Sequence, residues 1–277
     1  MKSFTPALIA PGFSDRFGQA LAARTHMPEA VTKNLLAIGS EESGRRCFQM
    51  VGDIAVIPVC GILVDKFPWI GCPWVTGYDA LRYQIAAALG DQAVKAVVLD
   101  MDSGGGMVAG CFDFVDWMYA AKQEAGKPLA SILTESAYSA CYAIASNTDS
   151  IAVPRTGGCG SIGVVMLHVD VSKWLAEVGI TPTFIVSGEH KVDGNAFEPL
   201  SDDVKERFKA ECDALRNVFA ETVARGRGID VKAVLQTEAR CYDGPDQLKE
   251  ALRLGLADAI VAPDQAFAVV QQAVAGA

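Results

Sequence analysis

The chain has 277 residues, of which 51% are hydrophobic and 21% are charged, and its formal net charge is -9 at pH 7. This hydrophobic content excludes a globally disordered chain, and the length allows one large α/β domain or two small ones. The acidic balance, without a basic stripe that could neutralise phosphates, argues against nucleic acid as a partner.

The eight cysteines are dispersed and form no CxxC pair. They predict small buried residues in a reducing compartment rather than a zinc site, and no cofactor is expected. The longest apolar stretch near the start of the core, Ile54 to Val64, contains Pro58 and Gly61. It falls far below the roughly 20 residues of a spanning helix, so no membrane anchor is expected.

The first part of the chain predicts an arm that precedes the main domain. Residues 14–38 have helical spacing interrupted by Pro28, which predicts two short helices packed on the core or on a neighbouring subunit. From Ile54 to Val59 the pattern is nearly all apolar, as in a strand buried on both faces. We therefore expect an N-terminal helical arm, residues 1–48, and one domain over residues 49–277.

Short strands then alternate with helices, which implies right-handed crossovers and a mainly parallel sheet in an α/β fold. Strands are predicted over residues 94–100, 129–133, 150–153, 162–169, 181–186, 241–242 and 259–261. Helices are predicted over residues 77–89, 108–124, 139–146, 171–178, 231–235, 245–254 and 265–274. A longer amphipathic helix is predicted to open at Ser201, with an apolar stripe from Val204 to Phe219.

Ser139 lies where a nucleophile would sit. It follows the apolar run Leu129 to Leu133 and precedes alanine-rich, helix-favouring residues. A strand that turns sharply into a helix presents its first helical side chain at the edge of a cleft, where the helix N-terminus favours an oxyanion. The alternative is a serine that only caps the helix.

Three consecutive glycines, in the segment Asp102 to Gly106, are predicted to form a tight turn between a strand and a helix. Glycine lets the backbone approach a ligand and direct its N–H groups inward. The segment is not G-x-G-x-x-G and lacks the Lys-Ser/Thr of a phosphate loop, so an oxyanion hole fits better than a nucleotide site. The alternative is an ordinary turn.

A serine nucleophile needs a base, and the chain has three histidines. His26 is in the N-terminal arm, His168 is in a predicted apolar strand, and His190 is in a loop next to Lys191. Lys191 is the better candidate, because a buried lysine can act as a base and Ser–Lys pairs are a variant of the catalytic triad. The alternative is a solvated surface charge.

A further glycine-rich turn, residues 157–163, carries Ser161. Its hydroxyl could contact a buried ammonium, or it could only cap the turn.

Taken together, these segments resemble the S49 family of serine peptidases. They are, in the order of the family pattern, Asp102-Ser103-Gly104-Gly105-Gly106, Ser139-Ala140-Cys141-Tyr142, Cys159-Gly160-Ser161-Ile162-Gly163 and Gly188-Glu189-His190-Lys191. Order and spacing agree over residues 50–262, and the resemblance implies a fold similar to Clp protease and crotonase. It also implies Ser139 as nucleophile and Lys191 as general base, with Ser161 orienting Lys191. The amides of Gly105 and Gly106 would line the oxyanion hole.

Residues 188–201 are most similar to the capsid-assembly proteases of phages and prophages. This resemblance implies a serine endopeptidase acting on polypeptide substrates, namely scaffold, portal or head proteins. It implies a homo-oligomer in the cytoplasm of a bacterial host and in the immature viral capsid. One alternative is a cellular protease like signal peptide peptidase.

Another alternative is a non-catalytic capsid assembly protein of the same fold. Two departures from the family pattern bear on it: Gly104 stands where proline is usual, and Ala140-Cys141 stands where Gly-Gly is usual. A hydratase or isomerase of the crotonase fold would need acidic residues at the cleft and an adenine nucleotide site, which these motifs do not provide.

Overall fold

The computed structural model describes residues 7–9 and 46–276. The strands are β1 (Ala7–Ile9), β2 (Gln49–Val51), β3 (Ile54–Val64), β4 (Val75–Gly77), β5 (Ala96–Met107), β6 (Leu129–Tyr138), β7 (Ser150–Val153), β8 (Gly158–Gly160), β9 (Cys241–Asp243) and β10 (Ala259–Ile260). The described helices are α1 (Tyr78–Gly90), α2 (Cys111–Ala125), α3 (Ala140–Ala145), α4 (Ser172–Glu177), α5 (Asp202–Arg227), α6 (Val231–Leu235), α7 (Gly244–Arg253) and α8 (Pro263–Ala275). The helices predicted within residues 14–38 lie outside the described residues.

The described strands form one sheet with the central order β10-β7-β6-β5-β3-β2. The pairs β3–β5, β5–β6, β6–β7 and β7–β10 are parallel, whereas β2 runs antiparallel to β3 at the edge. The prediction of a mainly parallel sheet with alternating helices is therefore confirmed.

Alternate residues of the central strands point to opposite faces of the sheet, and each face is covered. On one face, Leu99 of β5 lies in a large core with residues of α1, α2, α3 and α5, including Tyr142 and Phe219. On the other face, Val98 and Ile132 pack with α8. This two-sided burial explains why β3, β5 and β6 are almost continuously apolar in sequence.

The glycine segment is a strand, and the tight turn predicted there is wrong. β5 continues through Met107, and Gly106 pairs with Leu63 of β3. A Cβ atom at Gly106 would overlap the carbonyl group of Leu63, so glycine serves here to let two strands approach closely. The chain turns only afterwards, at Gly110, which precedes α2 with a φ of 79°.

The strands predicted over residues 162–169 and 181–186 are also wrong. Apart from one isolated bridge at Val165, both segments have irregular backbone. Most of their apolar side chains lie at the surface, with Leu167 74% exposed and Ile185 98% exposed, whereas Ile162 is buried. The alternating pattern is present, but a strand also needs a neighbour for its backbone hydrogen bonds, and neither segment forms a strand of the described sheet.

Candidate active site

Ser139 lies in the sharp turn between β6 and α3. Its φ of 55° and ψ of -122° are unusual for a residue with a side chain, and such backbone strain concentrates at functional sites. The Ser139 N–H donates to the carbonyl of Gly160 at 2.8 Å, which fixes the turn against β8. The Ser139 side chain makes no capping hydrogen bond, so the capping role is wrong.

The Ser139 hydroxyl is buried without a partner. The residue is 1% exposed, and its Oγ atom has no hydrogen-bond partner among the described residues. Leaving a buried hydroxyl unsatisfied costs about 1–3 kcal/mol, so native proteins rarely keep one without a reason. The Ser139 Oγ is therefore available to a group that the isolated chain does not supply.

Ser161 lies beside Ser139, at the end of the neighbouring strand. β8 pairs with β6 through Gly160 and Tyr138, so the two serines follow the same pair of residues. Ser161 also has a φ of 55°, and its N–H donates to the carbonyl of Arg240 at 2.9 Å. Adjacent strands are roughly 4.8 Å apart, so this register brings the two residues together.

The glycine segment adjoins the same place. Ser103 pairs with Ala137 of β6, two residues before Ser139. The Gly105 N–H donates to Ser103 Oγ at 3.0 Å, and this hydroxyl donates to the carbonyl of Gly61 at 2.6 Å. The predicted oxyanion donors thus lie near the nucleophile, and in the isolated chain the Gly105 amide is held by Ser103.

Lys191 is not brought to Ser139. It lies in a short 3-10 helix, Glu189–Val192, with an exposed side chain. Because Ser139 Oγ has no hydrogen-bond partner, the Lys191 ammonium does not contact it. The next residues are anchored instead, since Asp193 forms an ion pair with Arg207 of α5. The Arg207 guanidinium lowers the pKa of Asp193 below its ordinary value.

Sequence reasoning missed two contacts of this site. The Ser103 hydroxyl joins β3 to the glycine segment, and Tyr138, next to Ser139, donates to the Asp243 carboxylate. Burial, together with Asp243, raises the pKa of the Tyr138 hydroxyl. The position of Ser103 directly before the glycines could have indicated its role. Nothing in the sequence indicates that Tyr138 contacts Asp243, which is more than 100 positions away.

Cys141, which stands where the family pattern usually has glycine, fits into the core. Cys141 is fully buried, and its thiol lies near the Ser103 side chain. Burial raises the pKa of this thiol, so Cys141 stays neutral. A cysteine therefore fits behind the nucleophile without adding a charge there.

Residues 121–276, which include Ser139, Ser161 and Lys191, match the family model for peptidase family S49. The chain belongs to peptidase family S49.

Two phage proteins are similar to this S49 chain along nearly its whole length. Head-tail preconnector protein GP5 of Enterobacteria phage P21 is 36% identical over 288 aligned positions, which cover 97% of the chain and 55% of that relative. Capsid assembly protease C of Escherichia phage lambda is 35% identical over 287 positions, covering 97% of the chain and 63% of that relative. The S49 chain thus spans between half and two thirds of the length of these relatives.

A cellular relative is more distant. The chloroplastic serine protease SPPA of Arabidopsis thaliana is 25% identical over 196 positions, which cover 70% of the chain and 28% of that protein. Within the described ranges, no helix is both long and apolar enough to cross a bilayer.

Proposed function

We propose that this S49 chain is a serine endopeptidase with a Ser139–Lys191 dyad. The observation that carries the proposal is the buried, unpartnered Ser139 Oγ at a strained strand-to-helix turn. In the proposed reaction a neutral Lys191 amine takes the proton of Ser139 as Oγ attacks the scissile carbonyl carbon. The resulting ammonium then protonates the leaving amine, and water hydrolyses the acyl-enzyme.

The groups around Ser139 have supporting roles in this proposal. The Ser161 hydroxyl orients the Lys191 amine, which the register of β6 and β8 supports. Amides of Gly105 and Gly106 stabilise the oxyanion, and each such donor contributes roughly 3 kcal/mol in related sites. The Gly105 amide first has to leave the Ser103 hydroxyl, so substrate binding would rearrange this segment. We also assign the fold to the class that Clp protease and crotonase share.

Assembly of several copies is the step that we propose completes the dyad. The segment between β8 and α5 carries Lys191 and exposes many apolar side chains, among them Leu167, Trp174 and Ile185. Contiguous exposed apolar surface is typical of protein interfaces. A homo-oligomer would bury this surface and bring an amine to Ser139.

The substrates that we propose are scaffold, portal or head proteins of an immature viral capsid, inside a bacterial host. The names of the two phage relatives support this assignment, one being a capsid assembly protease and the other a head-tail preconnector protein.

A cellular role like that of a signal peptide peptidase is the alternative, supported by the more distant SPPA relative. The exposed Lys191 of the isolated chain favours a second candidate, a non-catalytic assembly protein.

One experiment separates these functions. The wild-type chain, Ser139→Ala and Lys191→Ala are each co-expressed with candidate scaffold and major head proteins of a phage, and cleavage is followed by mass spectrometry. Lys249→Ala, a substitution of an exposed lysine of α7 outside the segment that carries Lys191, is the matched control. Peptidase function requires cleavage by the wild type and the control, and none by the other two variants. Equal products from all four chains would leave only the assembly role.

A further inference from the structure

The two edges of β5 are covered by different strands near its carboxyl end. On one edge, β3 pairs as far as Gly106, through Leu63. On the other edge, the last β6 pair joins Ser103 to Ala137. The chain of β6 then turns away at Ser139 into α3. The edge of β5 beyond Ser103 is thereby left open beside the nucleophile.

The N-terminal strand β1 takes this open edge. It pairs antiparallel with β5, with Ala7 opposite Met107, Leu8 opposite Gly106 and Ile9 opposite Gly105. Because β3 already occupies the other edge at Gly105 and Gly106, β1 must lie on the edge that β6 leaves. A segment of the chain itself is therefore bound along the glycine segment next to Ser139.

The direction of β1 matters for its effect on the site. Its amino end is at Met107 and its carboxyl end is at Gly105, the paired residue nearest Ser103. Ser103 is in turn opposite Ala137, two residues before the nucleophile. An extended polypeptide bound in this way runs towards Ser139, so β1 lies where the acyl side of a polypeptide substrate would approach.

We propose that Ala7–Ile9 is an internal competitor, which occupies the polypeptide-binding edge of the active site until a substrate strand replaces it. This inference rests on the proposed function, because it assigns the edge to that function's substrate. An exposed strand edge offers unpaired N–H and C=O groups, and extended peptides bind such edges by adding a strand. A competitor of the same backbone geometry masks the edge without any chemical modification.

The small size of β1 makes it replaceable. It pairs with β5 over three residues, whereas β3 pairs with β5 over nine. Strands usually have about five or six residues, so a longer substrate strand would form more backbone hydrogen bonds along β5 than β1 does. Binding of substrate thus requires release of β1, and the apparent affinity falls with the fraction of chains whose edge is free.

The test uses full-length chains that carry Ser139→Ala, so that no cleavage is needed. Leu8→Pro and Ile9→Pro are combined to remove two successive N–H groups of β1, at least one of which faces β5 in an antiparallel pair. Lys2→Pro combined with Ser3→Pro is the matched control, because it adds two prolines upstream of the strand. Hydrogen exchange is measured at Gly106 and Met107, because the Gly105 N–H donates to Ser103 Oγ.

The expected result is exchange at least about tenfold faster in this segment for the β1 variant than for the control. A fluorescent peptide with the sequence of residues 3–12 should also bind the β1 variant at least about tenfold more tightly, because its edge is vacant. Equal exchange and equal peptide binding in the two chains would overturn the proposal. The wild type could also fail to cleave any substrate while the exchange and peptide-binding differences are observed. That result would refute the peptidase function but would still support the occupation of this edge by β1.

Discussion

Ser139 and Ser161 directly follow the Tyr138–Gly160 pair of β6 and β8, and both have a φ of 55°. A positive φ at a residue with a side chain costs roughly 1–3 kcal/mol of backbone strain, and these two neighbouring serines each carry that cost. Glycine would adopt this conformation without that strain. The retention of two hydroxyls at this point therefore indicates that their side chains, rather than local folding, determine the residue type.

Removing the Ser139 hydroxyl should stabilise the protein while it abolishes peptidase activity. Ser139→Ala relieves an unsatisfied buried Oγ, and Ser139→Gly also relieves the positive φ. We expect the free energy of unfolding to rise by about 1 kcal/mol for Ser139→Ala, and further for Ser139→Gly. Urea unfolding followed by circular dichroism measures both effects.

A second buried serine provides the control for this measurement. The Ser146 Oγ donates to the carbonyl of Ala143 and accepts from the Asn147 amide, so Ser146→Ala breaks satisfied hydrogen bonds. This variant should lose about 1 kcal/mol of stability. If Ser139→Ala were destabilised to the same degree, the Ser139 hydroxyl would have a structural partner and the dyad proposal would be weakened.

Ser161→Ala should lower kcat by at least about tenfold with little change in KM, because an unoriented amine is a poor base. The measurement is steady-state cleavage of a head-protein peptide. Ser161 also contacts Cys241, and burial raises the pKa of that thiol. Cys241→Ala removes this contact and keeps the Ser161 hydroxyl, so it should retain the wild-type kcat. An equal loss in both variants would assign Ser161 a packing role.

The Asp193–Arg207 ion pair should hold the Lys191 segment against α5. Because Arg207 lowers the pKa of Asp193, the contribution of the pair is complete above the ordinary carboxyl pKa of 3.8 and is lost as the pH falls through the lowered value. Arg207→Gln should return the Asp193 pKa towards 3.8, measured by NMR titration of the carboxyl carbon. It should also slow cleavage.

Lys209→Gln is a suitable control for that substitution. Lys209 is also on α5, and it pairs with Asp213 of the same helix rather than with the Lys191 segment. An Asp193 pKa that is the same in the Arg207→Gln and Lys209→Gln variants would show that Arg207 does not anchor this segment.

The buried thiols should be inert in the native protein. Burial raises the pKa of Cys111 and Cys159 to about 12, so at pH 8 roughly one molecule in ten thousand carries the reactive thiolate. Iodoacetamide at pH 8 should spare these residues and Cys141, and should first modify the four partly exposed cysteines, as read by peptide mass spectrometry: Cys60, Cys72, Cys212 and Cys241. Modification of all eight cysteines should need urea. Rapid alkylation of Cys141 without urea would mean that the region behind Ser139 opens.

Continuous apolar runs gave the most reliable part of the sequence analysis. The strand at Ile54 and the long helix after Ser201 were predicted because burial on two faces and an apolar stripe leave distinct patterns. The glycine segment was mispredicted because its glycines serve a close approach to Leu63, which depends on distant residues. The strand predicted over residues 162–169 is wrong for a related reason. Alternation of apolar and polar residues occurs both in a strand of a sheet and in a surface segment that could bind another protein.

The sequence predicts which residues form the site better than it predicts their positions relative to one another. The family resemblance assigned Ser139 and Ser161 to one site, and the structure brings them together because β6 and β8 run parallel and end side by side. The position of Lys191 relative to Ser139 depends on where a loop lies, which periodicity does not encode. The pairing of β1 with Gly105–Met107 likewise depends on which strand edge is left open, a property of the whole sheet.

Gly106→Ala should destabilise the domain strongly, because the new Cβ overlaps the Leu63 carbonyl and the backbone of β3 has to shift. Overpacking of this kind typically costs about 1–3 kcal/mol. Gly90→Ala at the end of α1 is the control: no atom lies within 4 Å of the added Cβ, and alanine favours the helix by about 1 kcal/mol. Thermal unfolding should therefore shift in opposite directions for the two variants. A Gly106→Ala protein as stable as wild type would mean that β3 and β5 are not held as closely as described, and the position of the Gly106 amide near Ser139 would have to be revised with them.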